Sequence, residues 1–170
     1  MRVEFLHDPA RADELRRLIN AAYTAGEKGL WRPGWQRMKR EWLLQDIANG
    51  EIAAAWRDGT VVGCVRTLMQ APELGEFGQL AVDPPATGAG VGRALIAFAE
   101  DTCRERGATE MSLELLVPRD GTHPAKERLH AWYSRLGYRI VSVGDFAAAY
   151  PEVAPLLAVP CDLRAYRKAL

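Results

Sequence analysis

The stretch Leu80-Ala81-Val82-Asp83-Pro84-Pro85-Ala86-Thr87-Gly88-Ala89-Gly90-Val91-Gly92-Arg93-Ala94-Leu95 decides how this chain is read. It closes a strand spanning Gly75–Val82, turns at Pro84, and sets glycines at 88, 90 and 92 before an amphipathic helix. That helix runs from Val91 to about Arg106, with Val91, Ala94, Leu95, Phe98 and Thr102 along one face. Glycines remove the Cβ atoms that keep a ligand off the backbone N–H groups. A helix that begins there adds unpaired N–H donors and the positive end of its dipole, so the turn suits a phosphate or pyrophosphate. Thr87 and Arg93 add a hydroxyl and a charge.

Known phosphate-binding patterns narrow the choice. A nucleoside-triphosphate loop needs a lysine directly after its last glycine, and none follows here. A dinucleotide fingerprint needs G-x-G-x-x-G in an early β-α-β unit, whereas Gly88, Gly90 and Gly92 give G-x-G-x-G in mid-chain. A ligand-free glycine-rich connection is the bland alternative.

Outward from this turn, strands and helices alternate. Val3–Leu6 reads as a first strand. Asp8 caps a helix with Pro9 at its first position, and Leu15, Leu18, Ile19 and Ala22 recur at helical spacing until Gly26. Gly29–Trp35 is a loop holding Trp31 and Trp35, and a second helix covers Gln36–Ala48. Glu51–Arg57 and Thr60–Met69 are joined only by Asp58-Gly59, a dipeptide suited to a two-residue hairpin turn. Downstream, Glu110–Val117 reads as a buried strand, and Pro124 opens a helix with Leu129, Trp132, Tyr133 and Leu136 on one face. Lys126 and Arg128 fall on its solvated side. Tyr138–Val143 starts another strand, Asp145–Pro160 is a Pro/Ala-rich excursion with one helical turn, and Asp162–Arg167 is the last strand. The order β-α-α-β-β-β-α-β-α-β-β gives a mixed α/β layer around one sheet, not a doubly wound fold.

Length and composition set the outer bounds. The 170 residues suit a single domain, 1–170, and 48% apolar with 26% charged residues is too apolar for disorder. Twenty-two basic residues balance 22 acidic ones, so bulk charge drives binding to neither nucleic acid nor an anionic membrane. No stretch approaches the ~20 apolar residues of a membrane span, and the N-terminus carries acids where a signal peptide is apolar. Cys64, Cys103 and Cys161 are odd in number and far apart, which favours small buried hydrophobes in a reducing cytoplasm. His123 and His130 would stand about 10.5 Å apart along a helix, too far for one ion, so no metal site is visible.

Two motifs together identify the chain as similar to the GNAT superfamily of N-acetyltransferases. Val82-Asp83-Pro84 followed by Gly88-Ala89-Gly90-Val91-Gly92-Arg93 resembles that family's coenzyme A motif, [QR]-x-x-G-x-[GA]. Tyr133-Ser134-Arg135-Leu136-Gly137-Tyr138 resembles its Tyr-x-x-x-Gly-[Phe/Tyr] at the end of the penultimate helix. Thr87 stands where the family has Gln or Arg, and Leu129 and Lys126 replace a common Ala and Asn.

The resemblance implies a mixed, mostly antiparallel central sheet flanked by helices, with acetyl-CoA as cosubstrate and no metal. It implies that the strand end, with Leu80, Ala81 and Val82, pairs by its backbone with the pantetheine arm. Backbone N–H groups from Thr87 and Gly88 through Ala89, Gly90, Val91, Gly92 and Arg93 would hold the pyrophosphate. Tyr133 would stand beside the thioester sulfur as general acid, its bland reading being a core aromatic. Glu76 is the candidate base for a protonated amine, with Glu73 and Glu114 behind it. Trp31 and Trp35 would line the acceptor site or pack on the sheet. The excursion at 145–160 would form the opposite wall or a contact in a homodimer. The expected activity is acetyl transfer from acetyl-CoA to a primary amine, small molecule or peptide, by direct transfer in a ternary complex. A non-catalytic acyl-CoA-binding or regulatory module is the alternative, kept open by Thr87.

Overall fold

The computed structural model describes all of residues Met1–Leu170. Seven strands, mostly antiparallel, and five helices follow the expected order: β1 (Arg2–Phe5), α1 (Ala12–Gly26), α2 (Arg40–Ala48), β2 (Ile52–Arg57), β3 (Thr60–Ala71), β4 (Leu74–Val82), α3 (Val91–Glu105), β5 (Glu110–Pro118), α4 (Pro124–Arg135), β6 (Arg139–Asp145), α5 (Phe146–Ala149) and β7 (Cys161–Ala169). Residues group into two compact units. Met1–Thr24, Gln36–Met111 and Leu170 form the first; Ala25–Trp35 and Ser112–Ala169 form the second.

In the first unit, β1, β2, β3 and β4 pair in that order, each antiparallel to the next. The turn at Asp58-Gly59 has φ of 50° and 77°, the left-handed pair that the hairpin needs. Asp8 caps a short 3-10 turn, Pro9–Arg11, with its Oδ1 accepting from the Ala10 N–H, before α1 begins. The second helix starts at Arg40 and not at Gln36. The segment before it is tied down instead by Asn20, which accepts from the Met38 N–H and donates to the Met38 carbonyl. Leu15, Ile19, Met38, Leu43 and Ile47 pack with Ile52, Ala54, Cys64 and Ala81 in one core.

The buried face of α3 is Val91, Leu95, Ile96, Ala99 and Cys103, rotated from the expected one so that Ala94, Phe98 and Thr102 flank it. Two glycines let this helix sit close on the sheet. A Cβ at Gly63 would lie 2.9 Å from the Ala81 carbonyl oxygen and 2.9 Å from Val91 Cγ1; one at Gly75 would lie 2.6 Å from Cys103 Cβ.

In the second unit the strand order is β5, β7, β6, with β6 and β7 antiparallel. Leu30, Leu116, Phe146 and Cys161 form its core, with Trp31, Leu157 and Leu163 against them. The loop Ala25–Trp35 and the excursion after β6 lace together by backbone bonds, Arg32 N–H to Leu156 and Ala158 N–H to Leu30.

The close approach at Gly63 yields a test. Overpacking a fitted interface costs about 1–3 kcal/mol, which lowers Tm by several degrees in a chain of this size. Gly63→Val should show that loss in a thermal melt. Gly26→Ala, where a Cβ meets nothing within 4 Å and φ is not positive, should leave Tm nearly unchanged.

Candidate active site

The candidate cofactor turn lies wholly in the first unit. β4 carries a bulge: Cys64 pairs with Ala81 and Arg66 with Gly78, so Gln79 and Leu80 stand against the single residue Val65. Gln79 takes φ of 50°, left-handed for a residue that gains nothing from it locally. The extra residue inverts the strand's faces. Gly75 points at Cys103 of α3, whereas Ala81 packs with the α1 and α2 residues on the opposite face. Strand alternation puts Glu76 on that same face, half-buried and opposite Leu68 of β3.

Beyond β4 the chain folds back tightly. The Asp83 N–H donates to the Val62 carbonyl, and the Asp83 carbonyl accepts from the Ala86 N–H at 2.8 Å. Pro84–Ala86 forms one 3-10 turn. Gly88 and Gly90 then adopt φ of 84° and 79°. Nothing lies within 4 Å of a Cβ built on either, so these glycines answer the backbone's demand and leave the space above them open. Gly90 caps α3, and its carbonyl accepts from the Ala94 N–H. The N–H groups of Val91, Gly92 and Arg93 come before that of Ala94, the first to find an intrahelical carbonyl, so they are donors for a ligand. Thr87, Gly88, Ala89, Gly90 and Arg93 are exposed; the Val91 and Ala81 side chains are buried, so only their backbones are available. Leu80, Val82 and Gly92 are half-buried.

Tyr133 belongs to the second unit, buried in α4. Its motif has a local physical cause. The Tyr138 N–H donates to the Tyr133 carbonyl (3.0 Å) and the Gly137 N–H to the Ser134 carbonyl (3.1 Å), closing the helix around Gly137 at φ 96°. This is the paired-bond helix stop that requires a left-handed residue and brings the flanking side chains together. The Tyr133 and Tyr138 rings meet edge to face at 6.2 Å, and Tyr166 lies 6.0 Å from Tyr133. The turn therefore fixes the tyrosine's orientation as well as ending the helix.

Lys126 corrects the sequence reading. It is 3% exposed, not on a solvated face, and its Nζ donates to Glu27 Oε1 at 2.8 Å. Glu27, 6% exposed, uses its other oxygen to accept from Trp31 Nε1. Trp31 stacks on Trp35 with centroids 4.4 Å apart and sets its edge on Phe146. The two tryptophans thus form a half-exposed aromatic pair held from beneath by a buried ion pair. Helix periodicity had no means of finding Lys126's partner, 99 residues away in an irregular loop. Arg128 is exposed as read, and Glu114 accepts from the Tyr150 hydroxyl at 3.0 Å. Glu73 is exposed, its carbonyl taken by the Thr109 and Glu110 N–H groups.

All three cysteines are buried. Burial pushes the Cys64 thiol up to about 12, and burial, with the Glu27 charge adding to it, pushes Cys161 up to about 11. Neither supplies a thiolate near neutrality.

Removing one partner of a buried ion pair leaves an uncompensated charge, a loss of about 3–5 kcal/mol. Lys126→Met should lose stability on that scale in urea unfolding. Adding Glu27→Gln should recover part of it, since the stranded carboxylate is then gone.

Comparison with known proteins agrees with this geometry. The model of the acetyltransferase (GNAT) family matches residues 12–138. An aminoalkylphosphonate N-acetyltransferase of Salmonella typhimurium is 36% identical over 98 residues, 54% of this chain and 58% of that protein. The chain thus matches a little over half the length of this curated relative. Among solved structures, an N-acetyltransferase from Thermoplasma acidophilum in complex with coenzyme A superposes with a TM-score of 0.74 at 17% identity, covering 100% of both chains. A ribosomal-protein-alanine N-acetyltransferase from Brucella melitensis does so with 0.67 at 20% identity, again over 100% of both. The strand, bulge, glycine turn and helix start, with a family match across most of the chain, lead to one conclusion: this protein belongs to the acetyltransferase (GNAT) family.

Proposed function

We propose that the protein transfers an acetyl group from acetyl-CoA to a primary amine by direct attack in a ternary complex. The observation that carries this reading is the turn after β4, where left-handed Gly88 and Gly90 leave open space over three unpaired helix-start N–H groups. Those donors, with the α3 dipole behind them, hold the pyrophosphate. Thr87 and Arg93 flank it. The backbone of Gln79–Val82 pairs with the amides of the pantetheine arm, so Leu80, Ala81 and Val82 contribute main chain and not side chain.

The chemistry follows from the groups in hand. The amine arrives protonated, since its pKa is near ~10.4, and must lose a proton before it attacks. Glu76 takes that proton, directly or through water. The nitrogen lone pair then bonds to the thioester carbonyl carbon, and the developing oxyanion is stabilised by a backbone N–H at the bulge, that of Leu80. The C–S bond breaks and the departing thiolate receives the Tyr133 hydroxyl proton, while the proton that the acetylated nitrogen sheds returns to the Tyr133 oxygen, directly or through water, giving an acetamide and CoA thiol. With both Cys64 and Cys161 held as thiols by burial, no acyl-cysteine intermediate is needed. Trp31 and Trp35 contact the acceptor, where an aromatic face favours a cationic or aromatic amine. The cytoplasm, with its acetyl-CoA pool, is the compartment that fits this chemistry.

Release of CoA thiol across an amine panel tests the reaction. The panel should include aminoalkylphosphonates, as named for the Salmonella relative, and alanine-terminated peptides, as named for the Brucella protein. Coenzyme A binding without thiol release from any member would favour a binding module instead. Gly90→Asp forces a side chain with a negative charge into a left-handed position facing the pyrophosphate. It should abolish acetyl-CoA binding by calorimetry while the protein stays folded.

Tyr133→Phe separates chemistry from packing, since the ring stays against Tyr138 and Tyr166. Loss of a general acid should lower kcat about 10²–10⁴-fold, with KM for acetyl-CoA little changed. Retained kcat with a lower melting temperature would make Tyr133 a core aromatic only.

A further inference from the structure

Arg11, Arg16, Arg37, Arg66 and Arg164 are the half-buried arginines of this chain. Four of them have a carboxylate in ion-pair range: Glu14 for Arg11, Asp13 for Arg16, Asp46 and Glu51 for Arg66, and Glu127 for Arg164. Arg37 has none. Its Nε is buried without a hydrogen-bond partner, and its guanidinium carbon lies 4.9 Å from the centroid of the Tyr23 ring. An aromatic face attracts a cation but does not accept its N–H bonds. Withdrawing such a cation from water with its donors unused is unfavourable until an acceptor arrives.

The neighbouring sequence fixes where Arg37 stands. Arg16, Asn20 and Tyr23 fall at i, i+4 and i+7 on one face of α1. Gln36-Arg37-Met38 lies along that face. Gln36 Oε1 accepts from Arg16 at 3.4 Å, and Asn20 holds both backbone groups of Met38, at 3.0 and 2.8 Å. Arg37 is therefore anchored through both of its chain neighbours. Arg16 brings a second cation to this face; its Nε is also buried, with Asp13 at 3.7 Å, beyond hydrogen-bond length. Met38 belongs to the core that Ala81 joins, and Tyr23 packs against it. Arg37 thus stands in the helical layer over the β4 face that carries Glu76.

We propose that Arg37 is a specificity-determining residue that receives a carboxylate or phosphonate carried by the acceptor amine. The inference rests on the acetyl-transfer reading above and adds a second charge to the acceptor. A planar guanidinium takes two oxyanion oxygens side by side, which suits both groups. The acceptor's two charges then have opposite partners: Arg37 for its anion, and Glu76 for the proton of its ammonium.

CoA thiol release tests this with amines matched in length: β-alanine against propylamine, γ-aminobutyrate against butylamine, and aminoethylphosphonate as the phosphonate arm. The oxyanion member of each pair should have the higher kcat/KM, and β-alanine against aminoethylphosphonate tells carboxylate from phosphonate. Arg37→Met keeps an unbranched stem on Tyr23 and removes the donors. It should raise KM for the oxyanion amines about 10–100-fold, as loss of a charged hydrogen bond does, with kcat little changed. The melting temperature should hold or rise, because an unpaired cation is gone, and Arg37→Lys should restore part of the preference. The Arg37 Nε–H resonance, assigned by its absence in Arg37→Met, reads the site without turnover. It should move on adding aminoethylphosphonate and stay in place on adding propylamine. Alkylamines used as well as their oxyanion partners would overturn the proposal and leave acetyl transfer standing. So would an equal loss for both members of a pair in Arg37→Met, or an Nε–H signal indifferent to aminoethylphosphonate. If no amine releases thiol, the transfer reading fails, and the Nε–H titration alone decides the site.

Discussion

The missing side chain at Gly63 is the constraint on which the cofactor turn depends. Val91, the first residue of α3, packs where a Cβ at that position would stand, so the helix start is seated directly on β3. Its three unpaired N–H groups are thereby fixed relative to the end of β4. Gly75 does the same further along, admitting Cys103. With both ends of α3 pressed to the sheet, only a short connection remains between Val82 and Val91. The left-handed torsions of Gly88 and Gly90 are how the chain makes it.

The bulge at Gln79 and Leu80 is the second element of the same design. Without it, Gly75 and Ala81 would share one face of β4; with it, one faces α3 and the other joins the core beneath α1 and α2. A strand interrupted in this way has main-chain groups free of the β3 ladder next to the glycine turn. Backbone groups are suited to recognising a long, amide-containing ligand, because they supply donors and acceptors at fixed spacing. The strained torsion at Gln79 is of the kind that persists where surrounding structure holds it.

Much of the fold was legible because it rests on local signals. Asp58-Gly59 specifies its hairpin, Gly137 its helix stop, and the three glycines after Pro84 the start of α3, each through a torsion that other residues adopt poorly. Helix faces were less legible. The α3 stripe was rotated because Ile96, Ala99 and Cys103 are fully buried whereas Phe98 and Thr102 are only half-buried at its margin, and hydrophobicity alone ranks these residues poorly. The start of α2 was missed because Asn20 ties the chain at Met38 through a side-chain contact made only in the folded state. Lys126 was misread for the same reason: a lysine on a helix looks solvated until Glu27 arrives from a distant loop. The bulge left no trace in the sequence at all, since Gln79 carries no preference for the left-handed region.

The central claim is that the N–H groups at the start of α3 hold the pyrophosphate of acetyl-CoA. A titration of the ¹⁵N-labelled protein followed by amide NMR reads those groups directly. Saturating acetyl-CoA should shift the Gly88, Gly90, Val91, Gly92 and Arg93 amides furthest, with the helix-start protons moving downfield as they gain an anionic acceptor. Free adenosine bisphosphate lacking the pantetheine arm should move the same amides while leaving Leu80 and Val82 unshifted. Amides of the turn that stay in place while the ligand binds elsewhere, or no change at saturating acetyl-CoA, would contradict the account.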